Sequence, residues 1–280
     1  MSASLDCATE VHAAIDQELD TGTLNVPLLP QVASEVLGST LDDRSNAQRL
    51  ADLIEKDQGL ASHIMRVVNS PGFRGSSDIV SLKQAIARLG MERIREIALT
   101  ISLKGTLFKP GPYDDVLQDA WSFGLCTALW SKEVARQARK NVEIAYLCGL
   151  LHNVGIPIMV NRVVELAPQS SRTEVVQLSA DLAPKAGAVL IEKWHLPAVV
   201  ATCITSLSAD AALPQQSSDL DALRVVQASR LIASQQGEEE IDTAPLVAEA
   251  AFQHLNFYPD DVAELLERRD VVQTTIEGMQ

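Results

Sequence analysis

Aromatic side chains are scarce in this chain, 4% of 280 residues, so its 46% apolar content is mostly Ala, Leu, Val and Ile. A basic surplus is lacking too: 23 Lys and Arg stand against 37 Asp and Glu, a net charge of −14. So acidic a body repels phosphate backbones, which makes DNA a poor default partner; solubility is the plainer reading of the charge. The four cysteines, Cys7, Cys126, Cys148 and Cys203, form no CxxC pair and read as reduced, mostly buried thiols in a cytoplasm. The opening residues MSASLDCATEVH lack the basic stretch and apolar run of a secretory signal. No uninterrupted apolar segment approaches the ~18 residues of a membrane-spanning helix, so no membrane partner is expected.

Alternating strand patterns are missing as well. Nearly every periodic stretch has a helical period, and the expected fold class is all-α. In SNAQRLADLIEKDQGLASHIMRVVN, Leu50, Leu53, Ile54, Leu60, Ile64, Val67 and Val68 recur mainly at three- and four-residue steps. Gly59 is expected to divide that stretch into two helices. Ser45 with Gln48, Ser81 with Gln84, and Ser171 with Glu174 are spaced as capping boxes. NSPGFRGSSD, Asn69 to Asp78, is dense in turn formers and predicts an exposed loop. Gly90 separates two short helices, and KPGPYDD, Lys109 to Asp115, marks a lobe boundary. Beyond it VLQDAWSFGLCTALWSKEVARQAR predicts a long amphipathic helix, acidic at its start and basic at its end as the helix dipole prefers. VEIAYLCGLLHNVGI predicts one strongly apolar helix, and PKAGAVLIEKWHLP another that begins at Pro184.

Catalytic apparatus is not visible in these patterns. The helix–Gly90–helix unit, with Arg88, Arg93 and Arg95, has the outline of a helix-turn-helix, but Ile94, Ile97, Ala98 and Ile101 make its second helix apolar where a recognition helix is polar. None of the five histidines pairs with another at a chelating spacing. Cys148 and His152 share a helix face and, with Cys126 and Cys203, outline a zinc site; packing thiols are the stronger reading, and no metal or other cofactor is expected. There is no strand-to-helix glycine loop to cradle a phosphate.

Two longer stretches carry a resemblance. Pro27 to Pro30, then EKDQGLASHIMRVVNSPGF, then IVSLKQAIARLG, followed in the second half by AWSFGLCTALWSKEVA, AYLCGLLHNVGIPIM and GAVLIEKWHLPAVVATCI, resemble the HDOD domain over about Val26 to Ile204. HDOD domains are bacterial signalling modules related to the HD phosphohydrolases. The resemblance implies a multi-helix HDOD fold with an N-terminal helical extension (1–25), an N-terminal helical lobe (26–108), an HD-like helical lobe (113–210) and closing helices (220–280).

The resemblance also implies where metal ligands would stand. The first His falls on Phe123, the His-Asp pair on His152 and Asn153, and a following Lys on Ile156. Further ligand positions fall near Ala183, near Leu207 and Ser208, and near Ser229. One potential ligand, His152, survives. A neutral amide is a weaker ligand than a carboxylate, Phe123 offers none, and a single imidazole does not hold a hydrolytic metal. The Gly-Tyr-Pro motif of related cyclic-di-GMP phosphodiesterases is absent. His152, Asn153 and Phe123 thus read as a vestigial motif with no catalytic residue, in a cytoplasmic regulatory pseudoenzyme. With no receiver, kinase or cyclase sequence attached, it would act on a protein partner in a bacterial signalling pathway. The alternatives are a divergent metal-dependent phosphohydrolase and a sensor of a nucleotide second messenger whose phosphate is held by an arginine such as Arg66 or Arg74. His152 is expected buried and hydrogen-bonded in the middle of a packed helix.

Overall fold

A computed structural model describes residues 2–40, 47–73, 75, 78–207, 213–214 and 217–279, with side chains of 2–8 and 38–40 left aside. Among the described residues every regular element is an α-helix. In chain order these are α1 (Ser2–Thr21), α2 (Gln31–Thr40), α3 (Ala47–Glu55), α4 (Gln58–Val68), α5 (Leu82–Leu89), α6 (Met91–Leu107), α7 (Asp114–Gln137) and α8 (Val142–Leu151). There follow α9 (Gly155–Leu166), α10 (Arg172–Lys193), α11 (Ala198–Thr205), α12 (Ser217–Ser234), α13 (Thr243–Ala248), α14 (Ala250–His254), α15 (Pro259–Leu266) and α16 (Arg269–Met279).

The helices gather into two compact units that are interleaved in sequence: Met1–Pro27 with Pro110–Arg269, and Leu28–Lys109 with Asp270–Gln280. The sequence reading lays its segments out consecutively, because side-chain periodicity says nothing of which distant helix covers a given face. In the larger unit, α1 is bound to α9 and α10 by charge. Lys185 reaches Asp16 at 2.6 Å and Asp20 at 2.7 Å, and the Arg162 guanidinium holds the Glu18 carboxylate. In the smaller unit α16 lies on the turn after α4. A Cβ on Gly72 would stand 2.4 Å from the Thr274 carbonyl oxygen, and Phe73 beside it is buried. The expected exposed loop Asn69 to Asp78 is therefore partly covered; its members Arg74, Ser76 and Ser77 lie outside the described residues, as does the expected capping serine Ser45. Asn69 ties the loop together by accepting from the Ile79 N–H and donating to the Ile79 and Met65 carbonyls.

Several helix limits differ from the sequence reading. The chain breaks at Asp57 rather than Gly59, since the Asp57 carboxylate accepts from the Leu60 N–H at 3.0 Å and starts α4 there. The long α7 is less amphipathic than expected: from Gly124 through Lys132 it is buried all round, with Trp130 at its centre. The helix expected to run through His152 ends at Leu151. Pro157 has no N–H to offer the Asn153 carbonyl, and a tight turn carries the chain into α9, where that missing donor falls in the first turn. In contrast Pro184 does not begin a helix but sits inside α10, which runs unbroken from its Ser171 cap because its packing against α9 outweighs one lost hydrogen bond. By length and composition Val142–Leu166 matches a membrane span, its most apolar window having a mean hydropathy of 1.4, although it is no uninterrupted apolar run: His152 and Asn153 lie within it, where α8 gives way to α9. Of that apolar window, 78% is buried inside the structure.

Candidate functional site

The motif residues converge where the end of α8 meets α7 and α12. His152 follows the last residue of α8, at the helix end rather than in its middle, and is 6% exposed. Its Nδ1 lies 2.7 Å from the Gly149 carbonyl oxygen, which only accepts, so Nδ1 carries the proton and Nε2 the lone pair. Nε2 is buried without a hydrogen-bond partner. Burial first, and then the nearby Arg230 cation, push the His152 pKa down to about 3, against the pull of the Gly149 carbonyl, so the ring is neutral near pH 7.

Asn153 is turned toward α7. Its Nδ2 donates to the Ala120 carbonyl at 2.6 Å, while Oδ1 is buried without a partner. Gly124 makes the room: a Cβ there would stand 2.9 Å from that Oδ1. Phe123, one residue earlier on α7, points its ring edge-on to the imidazole, centroids 5.4 Å apart at 72°. Arg230 of α12 lies over the Phe123 ring, its guanidinium carbon 5.8 Å from the centroid, within cation–π range. Its Nε is buried without a partner, and burial lowers its pKa.

Among the described residues, the remaining positions add no imidazole or carboxylate. Ala183 meets Gly155 backbone to backbone, since a Cβ on Gly155 would lie 1.9 Å from the Ala183 oxygen. Leu207 is half-buried, Ser208 lies outside the described residues, and the buried Ser229 hydroxyl donates to the Val225 carbonyl. Cys126, Cys148 and Cys203 are buried free thiols. A hydrogen bond with the Cys203 thiol, and then burial, hold the Cys148 thiol well above the ordinary thiol range, and burial pushes Cys126 up to about 12. Protonated thiols are poor metal ligands. Among the described residues no three His, Cys, Asp or Glu are grouped to hold a metal ion. One imidazole, a neutral amide, an aromatic ring and a guanidinium do not fit the hydrolytic metal of HD enzymes: the donor charge is missing and a cation is already present.

Arg230 escaped sequence reasoning. It lies far downstream of His152, and its only local signal is a lone cation in ASRLIAS among the buried Ser229, Ile232 and Ala233. The suggested phosphate-binding Arg66 is exposed on α4 of the smaller unit, and Arg74 lies outside the described residues.

Comparison with known proteins agrees with this architecture. The chain is 23% identical over 208 residues to an uncharacterized protein of Treponema pallidum (strain Nichols), covering 70% of this chain and 39% of that protein, so it spans less than half of that relative. An HDOD domain protein of unknown function from Geobacter sulfurreducens superposes with a TM-score of 0.74 at 20% identity, covering 97% of this chain and 99% of its own. A protein from Shewanella amazonensis SB2B, named provisionally as a metal-dependent phosphohydrolase, gives 0.73 at 18% identity, covering 98% and 100%. Another from Marinobacter aquaeolei VT8, named provisionally for signal transduction, gives 0.68 at 20%, covering 99% of this chain and 66% of its own. At such identities the likeness is one of fold. The family model of the HDOD domain matches residues 26–209, well over half of the sequence, and the chain belongs to the HDOD domain family.

Proposed function

We propose that this chain is a non-catalytic, cytoplasmic signal-transduction module that acts through contact with a protein partner. The observation that carries this reading is the employment of the motif residues. Asn153 spends its amide N–H on the Ala120 carbonyl, Phe123 fills a ligand position, and the Arg230 cation stands beside His152. Each makes a good packing partner and a poor metal ligand. The Marinobacter relative's provisional name supports a signalling role. Purified protein given Mn²⁺ is expected to release no product from cyclic dinucleotides or phosphomonoesters above the level of a His152→Ala variant. Turnover that this variant abolishes overturns the reading.

One observation favours a divergent metal-dependent phosphohydrolase as the second reading. His152 keeps a neutral ring with its Nε2 lone pair unused, and its Nδ1–H is braced by a carbonyl as in metal-binding histidines. Metal content separates the two. Stoichiometric transition metal in protein purified without chelator supports the enzyme, and a substoichiometric amount supports the module.

A further inference from the structure

The smaller unit carries a cleft of about 760 Å³ that includes none of the motif residues. Its walls are the start of α2, the junction of α3 and α4, and the last turns of α6. Leu53, Leu60 and Ile101 supply an apolar lining, and Gln31, Ser102 and His63 polar groups. His63 is half-buried on α4, three residues before Arg66. Burial, then Arg66 and Lys104, hold its pKa below the ordinary value, and burial also lowers that of the Lys104 ammonium. Lys56 lines the cleft beside these groups, so the cleft gathers basic side chains within a chain of net charge −14, a local field that favours an anion. Two carboxylates also line the cleft, and both have local work. Asp57 caps α4 through the Leu60 N–H, and Glu35 accepts from the Gln31 amide at 2.8 Å.

A second, independent observation marks the same place. Gly105 lies inside α6, where glycine is a poor helix former. Its φ is not positive, and a Cβ there would meet nothing within 4 Å, so neither backbone nor packing calls for glycine. Gly105 lines the cleft, and what its missing side chain preserves is the open space above it.

We propose that this cleft is a binding site for a small organic anion, its acidic head beside His63 and its apolar body on Leu53, Leu60 and Ile101. This goes beyond the functional reading above and does not depend on it, since the cleft is made wholly by the smaller unit. The test uses 1-anilinonaphthalene-8-sulfonate, an anion with an apolar body, titrated by fluorescence into the intact chain. Saturable binding is expected, weakened at least tenfold by Gly105→Leu, which fills the cleft, and by His63→Glu, which sets a negative charge where the acidic head would lie. Gly105→Ala serves as the folding control and is expected to raise Tm. Competition then separates the sources of such an anion: a nucleoside monophosphate, cyclic di-GMP and decanoate are offered against inorganic phosphate and the uncharged adenosine and decanol. Displacement by at least one organic anion, but not by its uncharged counterpart, supports the site. Unchanged affinity in a variant that retains its helical circular dichroism overturns it, as does displacement by none of the anions.

Discussion

Asn153 differs from the aspartate of an HD pair by one atom, and that atom is in use. The Nδ2 donates to the Ala120 carbonyl in a buried setting. An ionised carboxylate only accepts, so Asn153→Asp would set a negative oxygen against a carbonyl oxygen beside α7. The variant is expected to lose about 3 kcal/mol of stability near neutral pH in urea titrations. The buried carboxyl's pKa is raised over its unfolded value, so the deficit shrinks as pH falls and the group takes a proton able to restore the bond. Equal or greater stability at neutral pH would mean that the amide is not adapted to its place. His152 and Asn153 were legible as a pair because they are adjacent and sit in a recognisable apolar run. The bond to Ala120 and the approach of Arg230 were not, since both are long-range contacts that leave no spacing in the sequence.

Among the helices, legibility follows how local the cause is. The Ser171 cap was readable because both of its bonds lie within four residues: Ser171 Oγ accepts from the Glu174 N–H, and Glu174 accepts from the Ser171 N–H. The Ser81 start holds too, although Gln84 reaches the Val80 N–H rather than that of Ser81. Pro184 misleads because the packing of α10 on α9 decides it, whereas the end of α8 follows from Pro157, a local cause that apolar periodicity overlooks. The same packing makes Gly155 a sharp test. Here the α9 start passes so close to α10 that an added methyl group would collide with the Ala183 carbonyl, a backbone atom that cannot swing aside. Gly155→Ala is expected to cost about 3 kcal/mol, at the upper end for overpacking, in contrast to Gly105→Ala. Thermal melts of the two variants side by side check this: a Gly155→Ala protein as stable as the parent would show that α9 and α10 are free to separate there.

On the scale of the whole molecule, all-α class was legible and the grouping of helices was not. The Asp270–Gln280 segment completes the smaller unit, where α16 covers Gly72 and Phe73. A chain ending at Arg269 is expected to expose Phe73 and to melt the smaller unit at a lower temperature, while the larger unit keeps its own core. Hydrogen exchange read by mass spectrometry would show faster exchange in α3 to α6 and unchanged protection in α7, α8 and α12; uniform protection would contradict this division. The interleaving also bears on how the molecule is made. A growing chain leaves the ribosome from its N-terminus, and domains generally fold as units in that order. Here Leu28–Lys109 emerges early but waits for the whole of Pro110–Arg269 to be synthesised before its closing helix arrives. During that interval Phe73 lacks the α16 segment that lies against it in the finished structure. The smaller unit is thus the later of the two to be finished, and the one most in need of protection while translation is still under way.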